Sequence, residues 1–194
     1  MIWGLSTAPW SARTRPPRAR KKKEDETPEE SRQRQSLGVS RGGLSTKIHV
    51  LCEGTGKPMA ITLTPGQTHE ATQASVLLDQ VKVKGKPGRP RQRFEAVAGD
   101  KGYDSKAIRD DLRKRGSEPV IAHRKDREGE YPEKSQEFDK EKYRRRNVVE
   151  RLIGRLKEFR SIATRYAKLA EGFIGLIRLA FIRIWMKDLL SDRA

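Results

Sequence analysis

The chain has 194 residues and carries 43 Lys and Arg against 26 Asp and Glu, a formal net charge of +17. This balance favours a polyanionic partner, with nucleic acid as the leading class, over an acidic small molecule. No apolar run is long enough to span a membrane. The single cysteine, Cys52, excludes an internal disulfide and a thiolate metal site, as expected in a reducing cytoplasm, and we expect it to be a core residue.

Residues 1–35 are predicted to be a disordered tail. They contain "RPPRARKKKEDETPEESRQRQ", a basic block followed by an acidic block with proline and almost no apolar side chains. Such a segment cannot bury enough surface to offset the entropy lost on ordering. We therefore expect no strand in this tail.

Alternating elements are predicted after the tail. "TKIHVLCEGTGKPMAITLTPG" predicts a hairpin that turns at residues 54–57, and "HEATQASVLLDQV" predicts a helix capped by Thr68. A basic loop follows, "KVKGKPGRPRQR", interpreted as a solvated loop with a minor-groove hook as the alternative. Residues 94–98 then predict a buried strand that ends at Gly99 and Asp100, "SKAIRDDLRKRG" a helix, and "EPVIAH" another strand.

Two helical segments close the chain, residues 140–165 and "KLAEGFIGLIRLAFIRIWMKDLL". The second repeats apolar residues at steps of three and four, which predicts a core-facing side: Phe173, Ile177, Ala180, Phe181 and Ile184. The whole order, two strands and then helices interleaved with strands, favours a mixed α/β sheet covered by helices.

The helix predicted over residues 140–165 groups polar side chains around Glu150. At 100° per residue, three of them lie within about 40° of Glu150: Tyr143, Arg146 and Lys157. Apolar residues occupy the neighbouring arc, so Glu150 is expected at the rim of the core. Arg151 and Arg155 are expected on the solvent side.

Glu150 has two interpretations. It can be the partner of nearby arginines, a surface ion pair that contributes about 0.3–0.5 kcal/mol. Alternatively it shares a metal with Asp100, because a residue that follows a buried strand projects into the crevice that α/β sheets use for ligands. Two such carboxylates and a third can hold two Mg²⁺ ions for phosphodiester chemistry.

The pattern Y(2)R(3)E(6)K, formed by Tyr143, Arg146, Glu150 and Lys157, resembles the signature of bacterial insertion-sequence DDE transposases of the four and five types. "AGDKGYDS" is similar to the second acidic motif of that family, and "SRGGLSTKIHVLCEGTGKPMAITLTPGQTHEA" to the strands and turn between its first two acids. The resemblance covers residues 40–190. It implies a ribonuclease-H-like catalytic domain.

The resemblance also implies roles for individual residues. Asp100 would be the second acid and Glu150 the third, both ligands of Mg²⁺ or Mn²⁺. Transposon-end DNA would be bound by a set of residues on the same segment: Tyr143, Arg146, Lys157, Arg151 and Arg155. The implied partners are double-stranded DNA at the terminal inverted repeats and at the target, and a homodimer is left open. The alternative is a noncatalytic, basic nucleic-acid-binding protein.

This chain departs from the family pattern at the first acid. In the family that acid belongs on a strand resembling "DGTVVRAH" before "GLSTKIHV", yet no Asp or Glu precedes Glu24 in this chain. We therefore expect the first strand to be missing and this copy to be inactive. One hypothesis is a frame change: in codons that mostly end in G or C, "LSTAPWSARTRP" read from its third base gives Val, Asp, Gly, Thr, Val, Val, Arg, Ala, His.

Overall fold

The computed structural model describes residues 2–11, 35–40, 43–82, 94–123 and 139–191. In these ranges the strands are β1 (Ile2–Ser11), β2 (Gly38–Ser40), β3 (Gly43–Cys52), β4 (Pro58–Pro65), β5 (Ala96–Gly99) and β6 (Glu118–Ile121). The α-helices are α1 (Ala74–Gln80), α2 (Lys106–Lys114), α3 (Lys140–Arg144), α4 (Asn147–Glu158), α5 (Arg160–Ala163) and α6 (Ala170–Ser191). Short 3₁₀ turns cover Glu70–Gln73 and Lys101–Tyr103.

The strands form one mixed sheet in the order β2-β3-β1-β5-β6, and β4 pairs with β3. β5 pairs in parallel with β1 and with β6, whereas β2 and β3 are antiparallel. Hairpin β3–β4 and both short strands appear where the sequence predicts them. The predicted fold class, a ribonuclease-H-like mixed sheet with flanking helices, is confirmed.

The N-terminal strand corrects the prediction of a disordered tail and a missing first strand. Ile2–Ser11 forms β1, an interior strand whose residues Ile2 to Leu5 pair with Ala96 to Gly99. The physical reason is local composition, because residues 2–11 carry no charge and include Ile2, Trp3 and Leu5, whereas the charged blocks begin at Arg13. An average composition taken over residues 1–35 hides the uncharged, partly apolar character of residues 2–11. Residues 12–34 lie outside the described ranges, as does the basic loop at 83–93.

Two compact units emerge from the contacts, the first comprising Met1–Thr7, His49–Ile61 and His69–Leu152. In it β5 is packed on both faces. Val97 and Ile121 join one core with side chains of α1 and α2, such as Leu78 and Leu112. On the other face Ala96, Ala98 and Val120 form a second cluster, and Tyr143 packs against it. Helices therefore cover both sides of β5.

The second unit comprises Ala8–Ile48, Thr62–Thr68 and Ile153–Ala194. All five residues predicted for the core side of the C-terminal helix are buried on α6: Phe173, Ile177, Ala180, Phe181 and Ile184. Within this unit the Arg165 guanidinium lies 4.9 Å from the Phe173 ring centroid and donates to the Gln35 carbonyl, and its burial lowers the pKa of Arg165 to about 10. None of the helices in the described ranges has the length and apolarity needed to cross a bilayer.

Other local predictions are confirmed or corrected in detail. Cys52 is buried, as expected. The helix predicted after the hairpin begins as a 3₁₀ turn, and its cap is His69, whose Nδ1 accepts from the Ala71 amide, and not Thr68. The single helix predicted over residues 140–165 is divided into α3, α4 and α5.

A buried ion pair ties the segment after Asp100 to β6. The Arg109 guanidinium donates to Asp104 Oδ1 through Nη2 at 2.8 Å and through Nε at 3.2 Å, and Nη2 also donates to the Ile121 carbonyl at 2.8 Å. The Asp104 side chain is fully buried and that of Arg109 is 7% exposed. Because β6 ends at Ile121, this pair fixes the turn between Asp100 and α2 to the sheet.

Removing the charge of Asp104 should destabilise the fold strongly. Asp104→Asn would leave the buried Arg109 cation without its counter-ion, and loss of one partner of a buried pair costs about 3–5 kcal/mol. Asp110→Asn is the matched control, because Asp110 is 44% exposed and pairs with Arg113 at 3.5 Å, an interaction worth less than about 1 kcal/mol. Urea unfolding measures both. Equal losses would contradict the structural role of the buried pair.

Candidate active site

Asp100 stands directly after β5 in extended conformation and caps the following 3₁₀ turn. Its Oδ1 accepts from the Lys101 amide at 2.6 Å, and the side chain is partly exposed. Side chains alternate between the faces of an extended strand. Ala96 and Ala98 contact Tyr143, and by the same alternation we expect Asp100, two residues after Ala98, on that face of the sheet.

Tyr143, Arg146 and Glu150 form one connected group. The Arg146 guanidinium lies 5.3 Å from the Tyr143 ring centroid, and its Nη1 is 2.8 Å from Glu150 Oε1. α3 ends at Arg144 and α4 begins at Asn147, so the group joins two helices across a break. Direct contacts thus keep Tyr143, Arg146 and Glu150 together although the helix is interrupted between α3 and α4.

The ion pair leaves Glu150 accessible. The Glu150 side chain is 49% exposed and that of Arg146 is 18% exposed. Arg146 lies in the break between α3 and α4, and a partly exposed ion pair of this kind contributes less than about 1 kcal/mol. Arginine pairing, one interpretation of Glu150, is therefore present without excluding the other.

The segment that leads to Glu150 is anchored on β6. Lys142 Nζ donates to Glu118 Oε2 at 2.7 Å, and Asp139 caps α3 by accepting from the Lys142 amide at 2.9 Å. The hydrogen bond to Glu118 raises the pKa of Lys142, and the backbone hydrogen bond lowers the pKa of Asp139. These contacts hold α3, and with it Tyr143, on the sheet edge next to β5.

Glu70, in the turn before the helix, is a further residue that contacts the segment after Asp100. A β-carbon added at Gly102 would overlap Glu70 Oε2, so the carboxylate rests directly on the 3₁₀ turn that follows Asp100. His69, not Glu70, supplies the cap. The turn "PGQTHE" therefore packs against "GDKGY", a long-range contact that no local pattern reveals.

This packing predicts that the effect of Gly102→Ala depends on Glu70. In the native background the new methyl group displaces the carboxylate and destabilises the fold. In a Glu70→Ala background the space is free, and Gly→Ala should be neutral or stabilising by about 0.4–1 kcal/mol, because fewer unfolded conformations are lost. A thermodynamic cycle by urea unfolding should give a coupling of roughly 0.5 kcal/mol or more. The same cost in both backgrounds would show that the contact is absent.

The strand β1 is the neighbour of β5 in the sheet. Its register pairs Gly4 with Ala98 and Leu5 with Gly99, the last residue of β5, and Ser6 and Asp100 are the next residues of the two segments. Neighbouring strands lie about 4.8 Å apart. No carboxylate residue occurs in β1, and the described residues contain no group of three or more His, Cys, Asp or Glu that could hold a metal ion.

The remaining predicted residues lie on α4. Arg151, Arg155 and Lys157 are all exposed. Lys157 follows Glu150 by two turns and lies about 20° from it in projection, whereas Arg155 lies about 140° away. The helix buries its apolar side through Val149, Leu152, Ile153 and Leu156. It thus presents cations in more than one direction.

Comparison with known proteins identifies the family. The model of the transposase DDE domain matches residues 12–185. The chain is 35% identical over 134 residues to a protein of Burkholderia cepacia described as a transposase for insertion sequence element IS402, covering 69% of this chain and 59% of that relative. It is 28% identical over 144 residues, 74% of this chain, to the full length of a Brucella ovis protein described as a transposase for insertion sequence element IS6501.

No solved structure matches the chain significantly. The chain spans about three fifths of the length of its Burkholderia relative, whereas the family model covers most of its own residues. Tyr143, Arg146, Glu150 and Lys157, the residues that carry the signature in the sequence, fall inside the matched range. The chain belongs to the transposase DDE domain family.

Proposed function

We propose that this chain, a member of the transposase DDE domain family, binds the DNA of insertion-sequence ends but does not cleave it. The observation that supports the proposal is the pairing of β1 with β5: the register ends at Leu5 and Gly99, its continuation by one residue leads to Ser6 and Asp100, and β1 contains no acidic residue. The terminal inverted repeats, the target DNA and a homodimer are parts of this proposal. In a complete relative the reaction would be metal-dependent hydrolysis of a phosphodiester, followed by strand transfer.

Asp100 and Glu150 are proposed as the two remaining acidic residues of the site. The proposal is supported by the two-residue spacing of Ala96, Ala98 and Asp100, since both alanines contact Tyr143, and by the contacts from Tyr143 through Arg146 to Glu150. When bound, Mg²⁺ or Mn²⁺ would activate an attacking oxygen and stabilise the leaving one. Two carboxylates leave most of an octahedral shell to water, so the residues present do not complete the metal site.

A frame change accounts for the missing acid under this proposal. The Asp of the hypothetical second frame would span the codons of Ser6 and Thr7, which is the position opposite Asp100. The family match begins at residue 12, just after β1 ends at Ser11. The nucleotide sequence tests the idea: a second frame across codons 5–15 that lacks an Asp followed by a β-branched run would refute it.

Ser6→Asp should restore divalent-ion binding. Native protein is expected to bind Mn²⁺ weakly, and an acid at the position beside Asp100 should tighten binding by about tenfold or more, equivalent to about 1.4 kcal/mol. Ser6→Asn is the neutral control of similar size, and Thr7→Asp adds the same charge one residue further along the chain. Calorimetry with Mn²⁺ measures all four proteins.

Two results would overturn the metal-site proposal. One is tight stoichiometric Mn²⁺ binding by the native chain, and the other is equal tightening by Thr7→Asp. Circular dichroism on each variant separates loss of folding from loss of binding. If Ser6→Asp folds and gains no affinity, Ser6 does not mark the position of the lost acid.

DNA binding is proposed for Tyr143, Arg146 and Lys157 of the signature and for two further cations, Arg151 and Arg155. Residues 142–165 contain nine Lys and Arg against two Glu. Arg and Lys would bind phosphates, and Tyr143 would contact DNA by stacking or hydrogen bonding. The exposure of Arg151, Arg155 and Lys157 supports this role. In the alternative, a noncatalytic nucleic-acid-binding protein, the same cations bind nucleic acid but Asp100 and Glu150 do not share a site.

Replacing Arg146 and Lys157 with Ala should weaken DNA binding in a salt-dependent way. Each lost phosphate contact lowers the slope of log affinity against log salt concentration by about 0.9. Fluorescence anisotropy with a labelled duplex at several salt concentrations measures the slope. An unchanged slope would mean that these side chains face away from DNA. Arg144→Ala is the control, because Arg144 is a neighbouring exposed arginine outside the proposed set.

A further inference from the structure

The C-terminal helix α6, which lies wholly in the second unit, has a second apolar side opposite to the one that it packs into the core. Four large apolar side chains on that second side are more than half exposed: Leu179 (63%), Ile182 (55%), Met186 (53%) and Leu190 (63%). At 100° per residue they fall within an arc of about 80°, centred roughly 170° from the buried side. We call these four residues the outer stripe of α6. A surface helix is normally polar on its outer side, so a continuous apolar stripe there indicates an interaction surface.

The outer stripe has the spacing of a coiled-coil seam. Gly172, Gly175, Leu179, Ile182 and Met186 follow one another at steps of three, four, three and four residues. These steps are those of the a and d positions of a heptad repeat, where the side chains of a second helix insert between those of the first. The spacing therefore favours a helix as the occupant.

The two glycines leave room for such a helix. Apart from its own helical turn, a β-carbon built at Gly175 would meet no atom of the described residues within 4 Å, and one built at Gly172 would meet only Ala167 Cβ, at 3.8 Å. Glycine weakens a helix relative to alanine but allows another chain to approach the backbone closely. Large side chains of a second helix can fill this space, whereas a lipid surface does not require it.

Cations border the outer stripe on both margins. In projection Arg183 and Lys187 lie about 40° and 80° from Leu179 on one margin, and Arg178 lies about 100° from it on the other. All three cations are exposed. Residues 172–187 contain no Asp or Glu, so a second copy of α6 would bring three more cations to the contact, and the chain as a whole carries +17. A partner with carboxylates beside its apolar side would instead match the charge of both margins.

We propose that the outer stripe of α6 docks an amphipathic helix of another protein, one whose apolar side is bordered by Asp and Glu. The exposed apolar side chains, the open glycines and the flanking cations each favour this occupant. The inference goes beyond the proposed function, because it rests on α6 alone and requires neither Asp100 nor Glu150.

The test uses the whole chain and two labelled synthetic peptides as probes. Both peptides repeat a heptad with Leu at a and d, and they differ in having Glu or Lys at e and g. Fluorescence anisotropy should show one-to-one binding of the Glu peptide, about tenfold or more tighter than that of the Lys peptide. Failure of the Glu peptide to bind, or equal binding of both peptides, would overturn the proposal.

Variants separate docking on α6 from general attraction between a basic protein and an acidic peptide. Ile182→Gln keeps every charge and should weaken binding of the Glu peptide about tenfold or more. Val76→Gln is the matched control, because Val76 is an apolar residue of α1 that is 45% exposed, and it should leave binding unchanged. Gly175→Gln should also weaken binding, because its side chain occupies the space of the partner. Arg178→Glu/Lys187→Glu should shift the preference toward the Lys peptide.

Unchanged binding by a folded Ile182→Gln variant would show that the outer stripe is not the docking site. Circular dichroism melting confirms that each variant is folded. Two other occupants would also overturn the proposal. A dimer of the native chain in sedimentation that Ile182→Gln dissociates would assign the stripe to a second copy. Cosedimentation with phosphatidylserine vesicles that Ile182→Gln abolishes would assign it to a membrane.

The peptide measurements are independent of the proposed function, because none of them contains DNA. If the peptides behave as expected but Arg146→Ala/Lys157→Ala leaves DNA binding unchanged, the docking site stands and the DNA-binding assignment fails. The reverse pair of results would remove the docking site and leave the DNA-binding assignment in place.

Discussion

The parallel pairing of β5 with its two neighbours is the constraint on which the candidate site depends. β5 has four residues, all buried, and its two alanines on one face leave room for the Tyr143 ring. That contact holds α3 on the sheet, and Arg146 connects it to Glu150 at the first turn of α4. From the alternation of β5 we expect Asp100 on the same face. Small side chains on a short strand thus determine where α3 packs on the sheet.

A second set of contacts fixes the turn that carries Asp100. The buried pair of Asp104 and Arg109 anchors its far end to β6, and Glu70 rests on its middle at Gly102. None of these side chains needs to touch a substrate. Their effect is to limit the movement of Asp100 relative to β5, which is the condition for a preorganised site.

Local patterns predict most of the secondary structure because they are short-range signals. The hairpin, the strand before Asp100, the helix after it and the buried side of α6 follow from turn chemistry and from spacing along the chain. The break between α3 and α4 is not visible in the sequence, because helical periodicity continues across Arg145 and Arg146. The contact of Glu70 with Gly102 spans 32 positions, and a strand at residues 2–11 is visible only when the charged blocks after it are set aside.

The central claim is that Asp100 and Glu150 share one site that lacks its third acid. The most direct measurement is a crystal structure of the Ser6→Asp variant with Mn²⁺, located by anomalous scattering. We expect metal bound by the carboxylate introduced at position 6 together with oxygens of Asp100 and Glu150, the latter two in reach of ions about 4 Å apart. Asp100 and Glu150 too far apart to share such a pair would contradict the claim and would favour a noncatalytic nucleic-acid-binding protein.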